Sequence, residues 1–270
     1  MGRYHTFAII LTAWLPALLV GCGRSQGTRE EEYASEAISE PLLKVDDDAK
    51  TVIDKAVKIY GGEKVFSRWN CGYVKYKTKG GIIPPQLGEV TVEDTFQLPG
   101  HFKRVTLVPA SGRELQTVFV VNHGKAWTKH GDAPAEPGDN DFTEKTEHPF
   151  AGFCNLVPLT EKGIRLTKLG EKIIDGRKAM AIRVQSDKLG DVDFYFGSQT
   201  GLLLKSSKSL PAEGEKRSVV ESYLDDYKDV QGGKVPMRIK GMQDGRVILD
   251  VTLIDVKFAE KLEDSTFAKP

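Results

Sequence analysis

Chemistry needs side chains that titrate, coordinate or attack, and this chain of 270 residues has few in a spacing that lets them do so. Beyond His5 the histidines are His101, His123, His130 and His148, with neither an H-E-x-x-H pair nor zinc-finger spacing, so they supply no metal ligand set. Gly197-Ser198-Gln199-Thr200-Gly201 has the outline of a nucleophile elbow. Its central residue is Gln199, however, and its flanks predict strand, turn and strand where an elbow requires a helix on one side. Asp191 and Asp193 share a strand face, and Asp225 and Asp226 are adjacent; acid–base work needs one such carboxyl buried in a cleft, and these read as solvated surface. Gly124-Lys125 and Gly233-Lys234 are each followed by an apolar residue, not by the Ser or Thr of a phosphate loop. The chain therefore reads as a non-enzyme with no catalytic residue, metal or cofactor. Its 38 Lys+Arg against 38 Asp+Glu give no basic excess, which argues against nucleic acid as a partner.

The N-terminus carries Arg3 and then a mostly apolar run from Phe7 to Val20, the layout of a secretory signal. Polar residues resume at Arg24, and the run falls short of the roughly 20 apolar residues that span a bilayer. It ends in Leu19-Val20-Gly21-Cys22, which resembles the lipobox of bacterial lipoproteins; the alternative is a cysteine that happens to end an ordinary signal peptide. The resemblance implies that Cys22 is acylated and becomes the new N-terminus, so residues 1–21 are a signal peptide and the mature protein is tethered to a membrane without spanning it. Two or more acyl chains hold a protein stably, since each buried CH₂ contributes about 0.8 kcal/mol. By the enterobacterial sorting rule, Gly23 in place of Asp favours the outer membrane over the inner. Residues 22–48 then form an acidic tether: from Gly23 to Asp48 eight acidic residues oppose three basic ones, a net charge of −5. As a flexible coil this segment reaches about 30 Å.

From residue 49 the chain predicts one folded domain, 49–270. Ala49, Val52, Ile53, Ala56, Val57 and Tyr60 recur at helical spacing, with Asp48 as cap and Gly61-Gly62 as stop. A shorter apolar turn with Val65, Phe66 and Trp69 follows. After Cys71 the texture is β-branched and aromatic, and strands are expected near 72–79, 89–98, 101–109, 114–122, 125–130, 164–174, 177–187, 191–197, 201–209, 217–229, 234–243 and 246–258. Asp175-Gly176, Asp244-Gly245 and Gly232-Gly233 predict tight hairpins, Asn122-His123-Gly124 a slightly longer one, and Ser198 to Gly201 a fifth. Alternation puts Val90, Val92, Phe96 and Leu98 on one face, likewise Val192, Phe194 and Phe196, and Leu249, Val251 and Leu253. Ile254, Val256 and Phe258 are apolar on the opposite parity, so a bulge is expected near Leu253-Ile254. A bent meander with one amphipathic helix buries itself most simply as an α+β fold: a curved antiparallel half-barrel of about eleven strands with the N-terminal helix packed in its concave face. Two long polar interruptions, His130 to His148 and Ser209 to Arg217, break the pattern, and the first reads as a lid over the barrel mouth.

Phe194-Tyr195-Phe196, Thr200 to Lys205, Tyr223, Tyr227 to Val230, Gly233-Lys234-Val235-Pro236, Val256-Lys257-Phe258 and Phe267 to Pro270, with Ala56 to Gly62 at the entry, resemble the LolA/LolB-like periplasmic lipoprotein-carrier superfamily. The resemblance covers most of residues 49 to 270. It implies an open half-barrel with a helix-plugged apolar cavity that accepts acyl chains. The soluble carrier of that group has no lipid anchor, so the lipobox makes this chain more similar to the tethered members.

On that footing the expected partners are the membrane, through the acyl chains on Cys22, and the acyl chains of lipid or lipoprotein. The cavity wall would be Phe96, Leu107, Phe119, Phe194, Phe196, Leu203, Leu249, Val251 and Leu253. The alternative is a filled core of the same residues against Val52, Ile53, Val57 and Tyr60, in an anchored structural module that docks another envelope protein. Cys71 and Cys154 remain as a pair. They either bridge, contributing about 4.5 kcal/mol in the chain-entropy account, or stay as two buried thiols.

Overall fold

Asp48 begins the folded body: its carboxylate accepts the Thr51 backbone N–H at 2.7 Å and caps helix α1, Ala49–Ile59. The helix stops where Gly61 and Gly62 take positive φ, as their sequence predicts. It buries Val52, Ile53 and Ala56, and the first two contribute about 1.5–3 kcal/mol each by leaving water. A short second helix, α2, spans Glu63–Phe66. The structure, a computed structural model, describes residues 42–44, 46–66, 68–80, 83, 85–110, 112–138, 156–186, 190–211 and 217–270. The Phe7 to Val20 run, Cys22, Cys154 and most of the expected lid lie outside them. Among the described residues no helix is long and apolar enough to cross a membrane.

The strands are β1 (Cys71–Gly80), β2 (Val90–Gln97), β3 (His101–Ala110), β4 (Arg113–Asn122), β5 (Lys125–His130), β6 (Glu136–Pro137), β7 (Arg165–Ile174), β8 (Arg177–Ser186), β9 (Gly190–Gly197), β10 (Leu203–Pro211), β11 (Arg217–Val230), β12 (Gly233–Gln243) and β13 (Arg246–Phe258). All join one antiparallel sheet in the order β6-β5-β4-β3-β2-β1-β13-β12-β11-β10-β9-β8-β7. Neighbours in the sheet are neighbours in sequence except at β1 and β13, where the last strand closes against the first. The sheet is curved and open, with β6 and β7 at its edges. Among the described residues the count is thirteen rather than about eleven. The strand that no sequence pattern announced is β6, two residues of the His130 to His148 segment that pair with Trp127 and Thr128.

Bulges bend the sheet. Register slips leave Ile254, Ile248, Leu204 and Leu169 each without a cross-strand partner. The slip at Ile254 is the expected one: Leu253 and Val256 both face the core, while Ile254 is 47% exposed. Asp175-Gly176 and Asp244-Gly245 form two-residue turns with positive φ at both positions. The hairpin between β11 and β12 differs from expectation by one residue. Its turn is Gln231-Gly232, and Gly233 is the first ladder residue, opposite Val230. Packing explains the shift, because a Cβ on Gly233 would lie 2.4 Å from Trp69. Trp69 stacks on Phe258 with ring centroids 4.9 Å apart and plugs that end of the sheet.

Candidate functional site: the concave face

The sheet carries one large core on its concave face. Residues facing inward follow from the register: Gly72, Val74, Tyr76 and Thr78 on β1; Val90, Val92, Asp94 and Phe96 on β2; Phe102, Arg104, Thr106 and Val108 on β3; Thr117, Phe119 and Val121 on β4. On the other side of β1 the inward row continues through Val251, Ile239, Leu224, Ser206, Phe194 and Ile182. Helix α1 lies against β7 and the 3₁₀ turn Val157–Thr160. Its C-cap, Tyr60, reaches β10 and β11.

Of the nine side chains expected to form the wall, eight belong to this core or pack against it. Phe96, Phe194, Phe196 and Leu203 are 0–2% exposed, and Val251 and Leu253 are buried. Phe119 and Leu249 are only partly buried. Leu107 is a correction: it pairs with Thr91 and Gln116 and faces the outer side of the sheet. The inward positions of β3 include Arg104 and Thr106, and two polar residues there disguised the parity. Asp191 and Asp193 stand on the outer face, as expected, where Asp193 accepts Arg183 at 2.7 and 2.9 Å and Asp191 accepts Gln185 at 3.0 Å. Cys71 is a free, buried thiol whose Sγ lies 3.8 Å from Gln97 Oε1, and burial raises its pKa.

Sequence reasoning missed the polar cluster inside the concave face. Asp94 is 0% exposed. It accepts Arg104 Nε at 2.7 Å, Arg104 Nη2 at 2.8 Å and the Tyr76 hydroxyl at 3.1 Å. Arg104 also lies 5.2 Å over the Phe102 ring. Burial opposes the guanidinium's charge, but the Asp94 carboxylate outweighs it and holds the pKa above its ordinary value. Burial and then the Asp94 charge push the Tyr76 hydroxyl well up, so it stays a neutral donor. The signal was present: Asp94 interrupts Val90, Val92 and Phe96 on the buried parity of β2, and an acid there requires a buried cation. Two hydroxyls on the same face, Thr78 Oγ1 and Ser206 Oγ, are buried without a hydrogen-bond partner among the described residues.

Arg104 and Tyr76 are thus both held by the one Asp94 carboxylate. Among the described residues no group of three or more His, Cys, Asp or Glu is placed to hold a metal. The arrangement is an apolar wall with a fixed cation set into it.

No protein-family model matches the chain, and no curated protein matches it. Solved structures do. A LolA-superfamily protein from Nitrosomonas europaea is 13% identical over 83% of this chain and 98% of that one, with a TM-score of 0.45. A protein of family DUF1329 from Desulfovibrio piger is 11% identical over 82% and 97%, TM-score 0.49. Lipoprotein LppX from Mycobacterium tuberculosis is 12% identical over 79% and 98%, TM-score 0.27. The fold of this chain is one curved antiparallel sheet, open between β6 and β7 among the described residues, with a helix at its concave face.

Proposed function

We propose that this chain is a lipid-anchored protein of the bacterial cell envelope, held through Cys22 and facing the periplasm, whose concave face binds the acyl part of a lipid or lipoprotein without catalysing a reaction. One observation carries the reading. The concave face carries one apolar core, fully covered around Phe194, Phe196 and Leu203 but only partly covered at Phe119, Val108 and Leu249. Each Å² of apolar wall that a chain covers contributes about 25 cal/mol, so affinity needs few polar contacts. Extraction of the purified protein with organic solvent, followed by mass spectrometry, tests it. Co-purified lipid that disappears in a folded Phe119→Asp/Leu249→Asp variant is the expected result; lipid-free protein contradicts the reading.

A second reading has its own observation. Phe96, Phe194, Phe196 and Leu203 are almost wholly withdrawn from solvent, at 0–2% exposure. Leu87, Leu115, Val219 and Val247 are exposed near the strand ends remote from Tyr60. A filled core with an apolar rim is what an anchored docking module for another envelope protein would present. It predicts no bound lipid.

A further inference from the structure

Residues 49–270 hold 34 basic and 30 acidic side chains, a net charge of +4. Residues 161–186, which are β7 and β8 with the turn leading into them, hold seven basic and three acidic ones, the same +4, so the rest of the domain is balanced. Three of the seven are matched: Arg177 pairs with Asp225 at 3.1 Å, Lys178 with Glu171 at 3.3 Å and Arg183 with Asp193 at 2.7 Å. A fourth, Lys168, donates to the Asp47 carbonyl at 2.5 Å. Lys162, Arg165 and Lys172 are exposed and have no ion pair among the described residues. Arg165 stands opposite Gln185 and Lys172 opposite Ala179, both on the outer face of β7, and the strand between them spans about 20 Å. Among the described residues β7 is an edge strand with β8 as its one neighbour, so this basic strip borders the sheet.

The opposite charge precedes the domain in the same chain. Residues 30–40 hold Glu30, Glu31, Glu32, Glu36 and Glu40 and no basic residue. The chain that follows them enters the domain beside the strip: the Leu43 N–H donates to the Ser198 carbonyl at 2.8 Å, and the Ser198 N–H donates to the Lys178 carbonyl at 2.8 Å. Lys178 is opposite Ile173, the neighbour of Lys172. Twelve residues separate Glu30 from Leu42, up to about 40 Å of chain, which exceeds the length of the strip. We propose that the acidic run Glu30–Glu40 docks on the outer edge of β7, its carboxylates against Lys162, Arg165 and Lys172. Opposite charge draws the two together, and salt screens the attraction. Residues 23–29 alone then separate Cys22 from the docked run, an r.m.s. reach of about 15 Å in place of about 30 Å. The docking does not depend on what Cys22 carries; on the anchored reading above, it holds the domain close to the membrane.

A water-soluble carbodiimide tests this, because it joins a carboxylate to an amine without a spacer and so links only groups in contact. It is applied at low salt to the chain from residue 22 onward carrying Cys22→Ser, mixed equally with a nitrogen-15-labelled copy, and the links are mapped by mass spectrometry. Glutamates of the run should join Lys162 or Lys172, with both linked peptides of one isotope. The yield should fall about fivefold in about 0.5 M NaCl, where charges more than about 4 Å apart are screened. Arg165→Gln, an exposed change that removes no amine, should lower the low-salt yield about twofold. Links mainly to lysines of other strands such as Lys75 or Lys240, links confined to Lys44 a few residues along the chain, or no links from the run overturn the proposal. Mixed-isotope links would seat the run on a second copy and overturn docking within one chain. A yield unmoved by both salt and Arg165→Gln overturns charge as the force that seats it.

Discussion

The Tyr60 hydroxyl lies 2.7 Å from the Tyr227 hydroxyl, and the two close a ring of hydrogen bonds on the backbone of Leu203. Leu203 N–H donates to Tyr60 at 3.1 Å, and Tyr227 donates to the Leu203 carbonyl at 2.7 Å. A tyrosine hydroxyl has one hydrogen, so Tyr60 donates to Tyr227. The ladder between β10 and β11 starts only at Lys205, so the tyrosines serve backbone groups that the sheet leaves unpaired. The end of α1 is thereby fastened to the sheet.

Tyr60→Phe should destabilise the fold by about 1–3 kcal/mol, because it strands the Leu203 N–H in a buried place. Tyr227→Phe should cost a similar amount, and the double variant less than the sum, since all three bonds belong to one ring. Urea unfolding of the three variants measures the coupling; strict additivity would mean that the ring does not act as a unit.

Asp94 and Arg104 depend on each other. Arg104→Met alone should cost about 3–5 kcal/mol by leaving a buried carboxylate without its cation, while Tyr76→Phe/Asp94→Leu/Arg104→Met, which removes the Tyr76 donor as well, should be neutral or stabilising. Denaturant midpoints of both variants decide it.

Ile254 and Leu253 are neighbours with opposite fates. Ile254→Asp should change stability by no more than about 0.5 kcal/mol, whereas Leu253→Asp, placing a charge in the core, should cost more than about 4 kcal/mol or abolish folding. Circular dichroism during thermal unfolding reads both. Similar losses at the two positions would contradict the bulge.

Acid should loosen the start of α1 and the turn between β12 and β13. Asp47 is held below the ordinary carboxylate value of 3.8 first by its bond from the Lys55 ammonium and then by the Lys44 backbone N–H, and Asp48 by the Thr51 backbone N–H. Asp244 is lowered by the Val219 N–H and then by Ser218. A carboxylate whose folded pKa is depressed contributes stability above its unfolded value and loses it as pH falls through the folded one. Thermal midpoints should therefore be flat above about pH 5 and drop below about pH 4. Asp48→Ala should lower the plateau and shallow the drop.

Much of this fold was legible because local chemistry and tertiary packing agree. Asp48 and Gly61-Gly62 bracket a helix that tertiary contacts keep, and Asp175-Gly176 and Asp244-Gly245 turn where their backbone preferences dictate. The parity break at Ile254 announced a bulge before any register was known. Illegible features depended on distant partners. Gly233 belongs to its strand because Trp69 occupies the space above it. The inward parity of β3, and with it the places of Leu107 and Arg104, was illegible because a charged residue facing inward is explained only by Asp94 across the strand pair.

The central claim, that acyl chains lie on the concave face, is tested most directly by photocrosslinking. A fatty acid carrying a diazirine near its methyl end, incorporated into diglyceride and irradiated with the purified protein, should label Phe119, Val108 and Leu249 and spare outer-face residues such as Leu107 and Tyr195. Labelling confined to the outer face, or none above a serum-albumin-competed background, would contradict the account.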